Sequence, residues 1–138
     1  MTEKTMQHVE NCYGCGKGNP AGLKMTFTVH DDHIVGTLAT DKNHAGPPQV
    51  VHGGVIAAAV DESFSVLVRQ ALKQDARTVR LKITYRQAAA LGETLSVLAR
   101  PKEETRKTFI VTAEVSVNDQ VVAEAEAMMF KWLPRESS

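Results

Sequence analysis

At 138 residues, 43% of them hydrophobic, the chain has the length and apolar content for one domain with a real core and little room for a second. Sixteen basic residues balance sixteen acidic ones, so no general attraction to nucleic acid or to an anionic membrane operates, and a charged ligand must be met locally. The first twenty residues lack an apolar signal core and no run reaches eighteen apolar residues, so a soluble, cytoplasmic, single-domain protein spanning 1–138 is expected.

Residues 1–22 are turn-rich and hold the only cysteines, Cys12 and Cys15, in "CYGCG". Two thiols do not fill the four positions of a structural zinc site unless His8 or a second chain adds to them. A thioredoxin-type pair would open a helix, whereas "GKGNPAG" follows here, which is turn chemistry. The reading is a structural turn, with metal or redox chemistry of the pair as the alternatives; no metal and no cofactor is assigned. Next, "LKMTFTV" and "HIVGTLAT" read as two strands joined through a polar "HDD", hence a hairpin. "DKNHAGPPQV" is a loop, because consecutive prolines and a glycine exclude a continuous helix or a central strand.

From Gly54 to about Leu72 there is no proline and no further glycine, and Val60, Phe64, Leu67, Val68 and Ala71 recur at helical spacing. A helix of about five turns follows. Its first half, "VIAAAV", is apolar all round, as in a helix enclosed by other structure. No Ser, Thr, Asp or Asn at 50–54 caps it, so its first backbone N–H groups are expected to be unpaired, and Gly53 and Gly54 leave room for a ligand at the backbone. Asp61 and Glu62 interrupt the apolar run. Adjacent helical residues point about 100° apart, so at most one faces a given site, and Glu62 is expected to be a plain exposed helix carboxylate.

Beyond the helix the period is two. In "TVRLKITY", Val79, Leu81, Ile83 and Tyr85 alternate with Thr78, Arg80, Lys82 and Thr84. "TLSVLAR" continues as a strand. In "TFIVTAEVSV", Phe109, Val111, Ala113, Val115 and Val117 share a face; after an Asn118-Asp119 turn, Val121, Ala123, Ala125, Ala127 and Met129 do the same. This alanine-rich face admits a helix at close range. The sum is an α+β domain, an antiparallel sheet with one long helix on one face, its strand order open.

"VVHGGVIAAAVDESF", with His-Gly-Gly at the helix start and an acid nine residues after the histidine, followed by the strand "TVRLKITYRQ", resembles the hotdog-fold thioesterases, most closely the phenylacetate-pathway type and the related mammalian acyl-CoA thioesterases. The order of elements agrees from about Leu23 to Trp132. The resemblance implies a sheet wrapped around a central helix and hydrolysis of acyl-CoA. It implies further that the Gly53 N–H polarises the thioester carbonyl, that Asp61 is nucleophile or general base, that His52 orients, and that Thr78 assists. Some relatives carry an asparagine six residues before the histidine, where this chain has Gly46; Gln49 is the substitute considered.

Gly53 and Asp61 are eight residues apart, about 12 Å along a helix, too far to meet one reacting carbon from the same chain. Two antiparallel helices must then meet, so a homodimer with composite sites is expected, with a dimer of dimers left open. Phosphates of CoA call for local basic groups: Arg86, or the cluster Arg100, Lys102, Arg106 and Lys107 near a hairpin turn. Two other readings share the fold. A hydratase would need an Asp and a His converging on a carbon chain, and a non-catalytic acyl-CoA binding module would leave Asp61 a helix acid.

Overall fold

The computed structural model describes residues 4–5 and 10–132; His8 lies outside the described residues. In chain order the elements are β1 (Lys4–Thr5), β2 (Thr26–Val29), β3 (Ile34–Ala39), β4 (Ala45–Gly46), β5 (Val50–Val51), α1 (Gly53–Val66), β6 (Ala76–Tyr85), β7 (Thr94–Glu104), β8 (Thr108–Val117) and β9 (Gln120–Lys131). One antiparallel sheet runs β1-β2-β3-β7-β8-β9-β6, and β4 pairs with β5 apart from it. Helix α1 lies across one face, contacting β3, β6, β7 and β8. After Val66 the helix widens into a π turn at Leu67–Ala71, closed by the Leu72 N–H bonding back to the Leu67 carbonyl at 3.1 Å.

The β2–β3 hairpin forms in the register Val29 opposite Ile34. The β8–β9 hairpin turns at Asn118 and Asp119, both at positive φ (50° and 66°), the backbone that two-residue hairpins require and that Asn and Asp tolerate. Phe64, Val60, Ile56 and Leu67 of the helical segment are buried in one core with Ile34, Leu38, Leu95, Val97, Phe109, Val111 and Met129. Ala99, Ala113, Ala123, Ala125 and Ala127 are buried as well, so the inner face of the sheet is low enough for the helix to settle on it. Each fully buried large aliphatic or Phe side chain here contributes about 1.5–3 kcal/mol by leaving water.

Two bulges correct the alternation expected from the sequence. In β6 the ladder slips between Thr78, opposite Met129, and Arg80, opposite Met128; the extra residue is Val79, which is 50% exposed rather than on the core face. An inserted residue reverses the parity of everything on one side of it, so Thr78 joins Leu81 and Ile83 on the helix side. In the β8–β9 pair the register slips between Val115 and Ser116, and Val122 (3% exposed) takes the inward position expected of Val121 (36%).

Candidate active site

Four hydrogen bonds define the start of α1. The His52 ring caps it: Nδ1 accepts from the Gly54 N–H at 2.9 Å. The N–H groups of Val55 and Ile56 donate to the His52 carbonyl at 2.9 and 3.3 Å. The Gly53 carbonyl accepts from the Tyr85 hydroxyl at 2.7 Å, pinning the helix start to the end of β6. The expectation of a run of unpaired N–H groups is therefore corrected. Gly54 offers no donor, and a Cβ there would stand only 3.0 Å from His52 Nδ1, whereas among the described residues no hydrogen bond engages the N–H of Gly53. The only sequence signal for this cap was an imidazole one residue before the helix, which the absence of Ser, Thr, Asp and Asn did not reveal; Tyr85 carried none beyond its place in a strand.

Two turns further along, Asp61 Oδ1 accepts from the Thr78 hydroxyl at 2.8 Å. The bulge at Val79 makes this contact possible, since in an unbroken strand Thr78 would lie on the far side of the sheet from Leu81. Asp61 is exposed in the single chain, and so is Gly54; between them Ala57 and Ala58 are half-buried. These residues recur at helical spacing and form an open flank of the otherwise enclosed helix.

His52 is exposed at the mouth of this flank. Gly46 touches it: a Cβ at 46 would stand 3.1 Å from His52 Cα, so a larger residue needs the His52 backbone to give way. Gln49 follows the Pro47-Pro48 turn, exposed and at φ 87°, a left-handed backbone unusual for a non-glycine residue, with its N–H donating to the Gly46 carbonyl at 2.7 Å.

The basic candidates separate. Arg86 forms an ion pair with Glu124 at 2.6 Å, and Lys102 pairs with Glu126 at 2.9 Å. Arg86 and Arg100 line a groove of about 500 Å³ with Lys82, Thr112 and Glu114, on the sheet face away from the helix. The Glu126 carboxylate also raises the Lys102 ammonium above its ordinary pKa. Arg106 and Lys107 are exposed in the β7–β8 turn, and neither enters an ion pair among the described residues. Through the pairs Thr108–Phe130 and Arg77–Phe130 this turn shares the Thr78 end of the sheet, two strand spacings or about 10 Å away.

Glu62 is turned elsewhere, and the expectation of a plain exposed helix carboxylate is corrected, because the N-terminal turn packs over it. It is half-buried, and its carboxylate accepts from the Cys12 thiol at 3.4 Å, beneath the N-terminal turn.

Residues 48–124, more than half of the chain, match the family model of the thioesterase superfamily. The chain belongs to that superfamily, and its fold is the hotdog fold. Similar solved structures include a hypothetical thioesterase of Streptococcus pneumoniae TIGR4 with coenzyme A: 22% identity, 78% of this chain and 86% of that one, TM-score 0.72. That streptococcal protein has also been solved with a threonine, and with an aspartate, replaced by alanine. Another is smu.793 of Streptococcus mutans UA159 bound to acetyl CoA: 28% identity, 78% and 87% of the two chains, TM-score 0.71. A third is the PaaI protein from the phenylacetic acid degradation operon of E. coli: 18% identity, 80% and 81%, TM-score 0.72. No curated protein matches the chain. Among the described residues no helix is long and apolar enough to cross a membrane.

Proposed function

We propose that the protein hydrolyses acyl-CoA thioesters at two composite sites of a homodimer. The observation that carries this reading is the Asp61 carboxylate, held by Thr78 on the open flank of a helix whose Gly53 N–H has no partner among the described residues. Superfamily membership and the CoA and acetyl CoA bound to two similar structures support the substrate class.

In this reading the thioester oxygen accepts from the Gly53 N–H of one chain, where the helix N-terminus stabilises negative charge developing on that oxygen. Asp61 of the other chain either takes a proton from the attacking water or attacks the carbonyl itself. The C–S bond breaks, the CoA thiolate leaves and is protonated, and a carboxylic acid remains. The hydroxyl of Thr78 orients the Asp61 carboxylate. The stripe of exposed Gly54 and Asp61 with half-buried Ala57 and Ala58 is the surface a second α1 would cover, and its small side chains let two helices approach closely. Arg106 and Lys107, at the Thr78 end, would meet CoA phosphates.

Release of CoA from short, long and aryl acyl-CoAs tests the reading, with Asp61→Asn as control; equal rates in that variant would overturn it. Gly53→Pro removes the donor at the first helical position, where proline is accepted. Mixed dimers of Gly53→Pro and Asp61→Asn chains are expected to regain about one good site in two. No recovery despite proven chain exchange excludes the composite site.

A further inference from the structure

We propose that Cys12, Cys15 and Glu62 form a binding site for a thiophilic divalent cation of the zinc class, fastening the N-terminal segment to the central helix. The proposal stands apart from the hydrolytic reading, since none of the three residues has a part in it.

The two sulfurs and a carboxylate oxygen all lie within 4.8 Å of one another. Around a tetrahedral zinc, with Zn–S near 2.3 Å and Zn–O near 2.1 Å, such atoms stand about 3.5–3.8 Å apart. Closing the remaining ~1 Å takes rotation of side chains rather than movement of backbone. The backbone is already set independently of the thiols. The Gly16 N–H bonds to the Cys12 carbonyl at 2.8 Å, Leu23 to Tyr13 at 2.7 Å, and Met25 to Gly14 at 2.8 Å. Cys15 is buried at 3% exposure beneath this turn.

Gly14 shows how closely the carboxylate is seated: a Cβ there would overlap the Cβ, Cγ and Cδ of Glu62. Charge makes the cluster unusual. Three groups that are or become anionic meet at a half-buried spot, and among the described residues Glu62 enters no ion pair. Burial foremost, then the hydrogen bonds and charges of Cys12 and Glu62, push the Cys15 thiol up to about 12. A cation supplies the missing positive charge and takes the place of the thiol protons. Two thiolates with one carboxylate favour zinc over magnesium or calcium. On binding, two S–H bonds break, two S–metal bonds form and two protons pass to solvent. The carboxylate provides the third bond, and the fourth position is left for water or another donor.

The test uses the full chain, reduced and chelator-treated, then titrated with Zn²⁺ or Co²⁺. About one cation per chain should survive dialysis, and Co²⁺ should develop a thiolate charge-transfer band. Cys12→Ser should roughly halve that band; Glu62→Gln should keep it while weakening affinity by about tenfold or more. Circular dichroism establishes that each variant is folded, and Cys12, less buried than Cys15, is the safer thiol to replace. A folded, reduced wild-type chain that binds no Co²⁺, or a band undiminished in Cys12→Ser, overturns the site. Conversion of both thiols to a disulfide in air while the reduced chain takes up no metal overturns it in favour of a redox pair.

Discussion

Asp61 and Glu62 are neighbours on one helix and belong to one chemical class, yet they serve different flanks. About 100° of helical rotation turns Asp61 toward β6 and the open flank, and Glu62 toward the cysteine turn. On the first flank a hydroxyl donates to the carboxylate and the helix surface is bare; on the second, two thiols and the close backbone of Gly14 enclose it. The difference teaches that a carboxylate's role is set by what its neighbours donate and what they leave uncovered, since the two side chains differ by one methylene.

The sharpest way to break this division is to neutralise each acid in turn. Asp61→Asn should lower kcat for CoA release by about 10²–10⁴-fold, as loss of an acid–base or nucleophilic group does, and Glu62→Gln by less than tenfold. Equal losses would dissolve the distinction. On the Glu62 side, Gly14→Ala forces a methyl group into the carboxylate and should destabilise the fold by about 1–3 kcal/mol, read from denaturant unfolding. An unchanged midpoint would mean that Glu62 is free to move aside. On the Asp61 side, Thr78→Val keeps the shape and removes the donor; kcat should fall about tenfold with KM little changed, in line with loss of one hydrogen bond to a charged group. The smallest effect is expected at the rim. Charge reversal at Arg106 and Lys107 should raise KM for CoA esters by about three- to fivefold, less at high salt, because exposed charges are screened.

Much of the fold was legible in the residues. The helix start at His-Gly-Gly, the Asn118-Asp119 turn and the period-two strands all appear where local chemistry put them, because caps, turns and amphipathic periods are short-range features. The inward set of β6 was not legible. A bulge at Val79 depends on how β9 lies beside β6, and nothing in "TVRLKITY" marks it. The same holds at Val121 and Val122, whose exchange follows from a slip in how β9 pairs with β8. At the candidate site, His52, Gly53, Asp61 and Thr78 were visible as residues. That Thr78 reaches Asp61, that His52 takes the Gly54 N–H, and that Tyr85 holds the Gly53 carbonyl were not.

By itself the sequence determined one apolar helix opened by two glycines and interrupted by two acids, and an antiparallel sheet with a face of alanines on which that helix can rest. Periodicity and backbone preference suffice for that, since each acts within a few residues. Only the tertiary structure decided which acid meets a hydroxyl and which meets the thiols. Those partners lie 17 and 50 residues away along the chain, and their meeting depends on a strand bulge and on the path of the N-terminal turn over the helix.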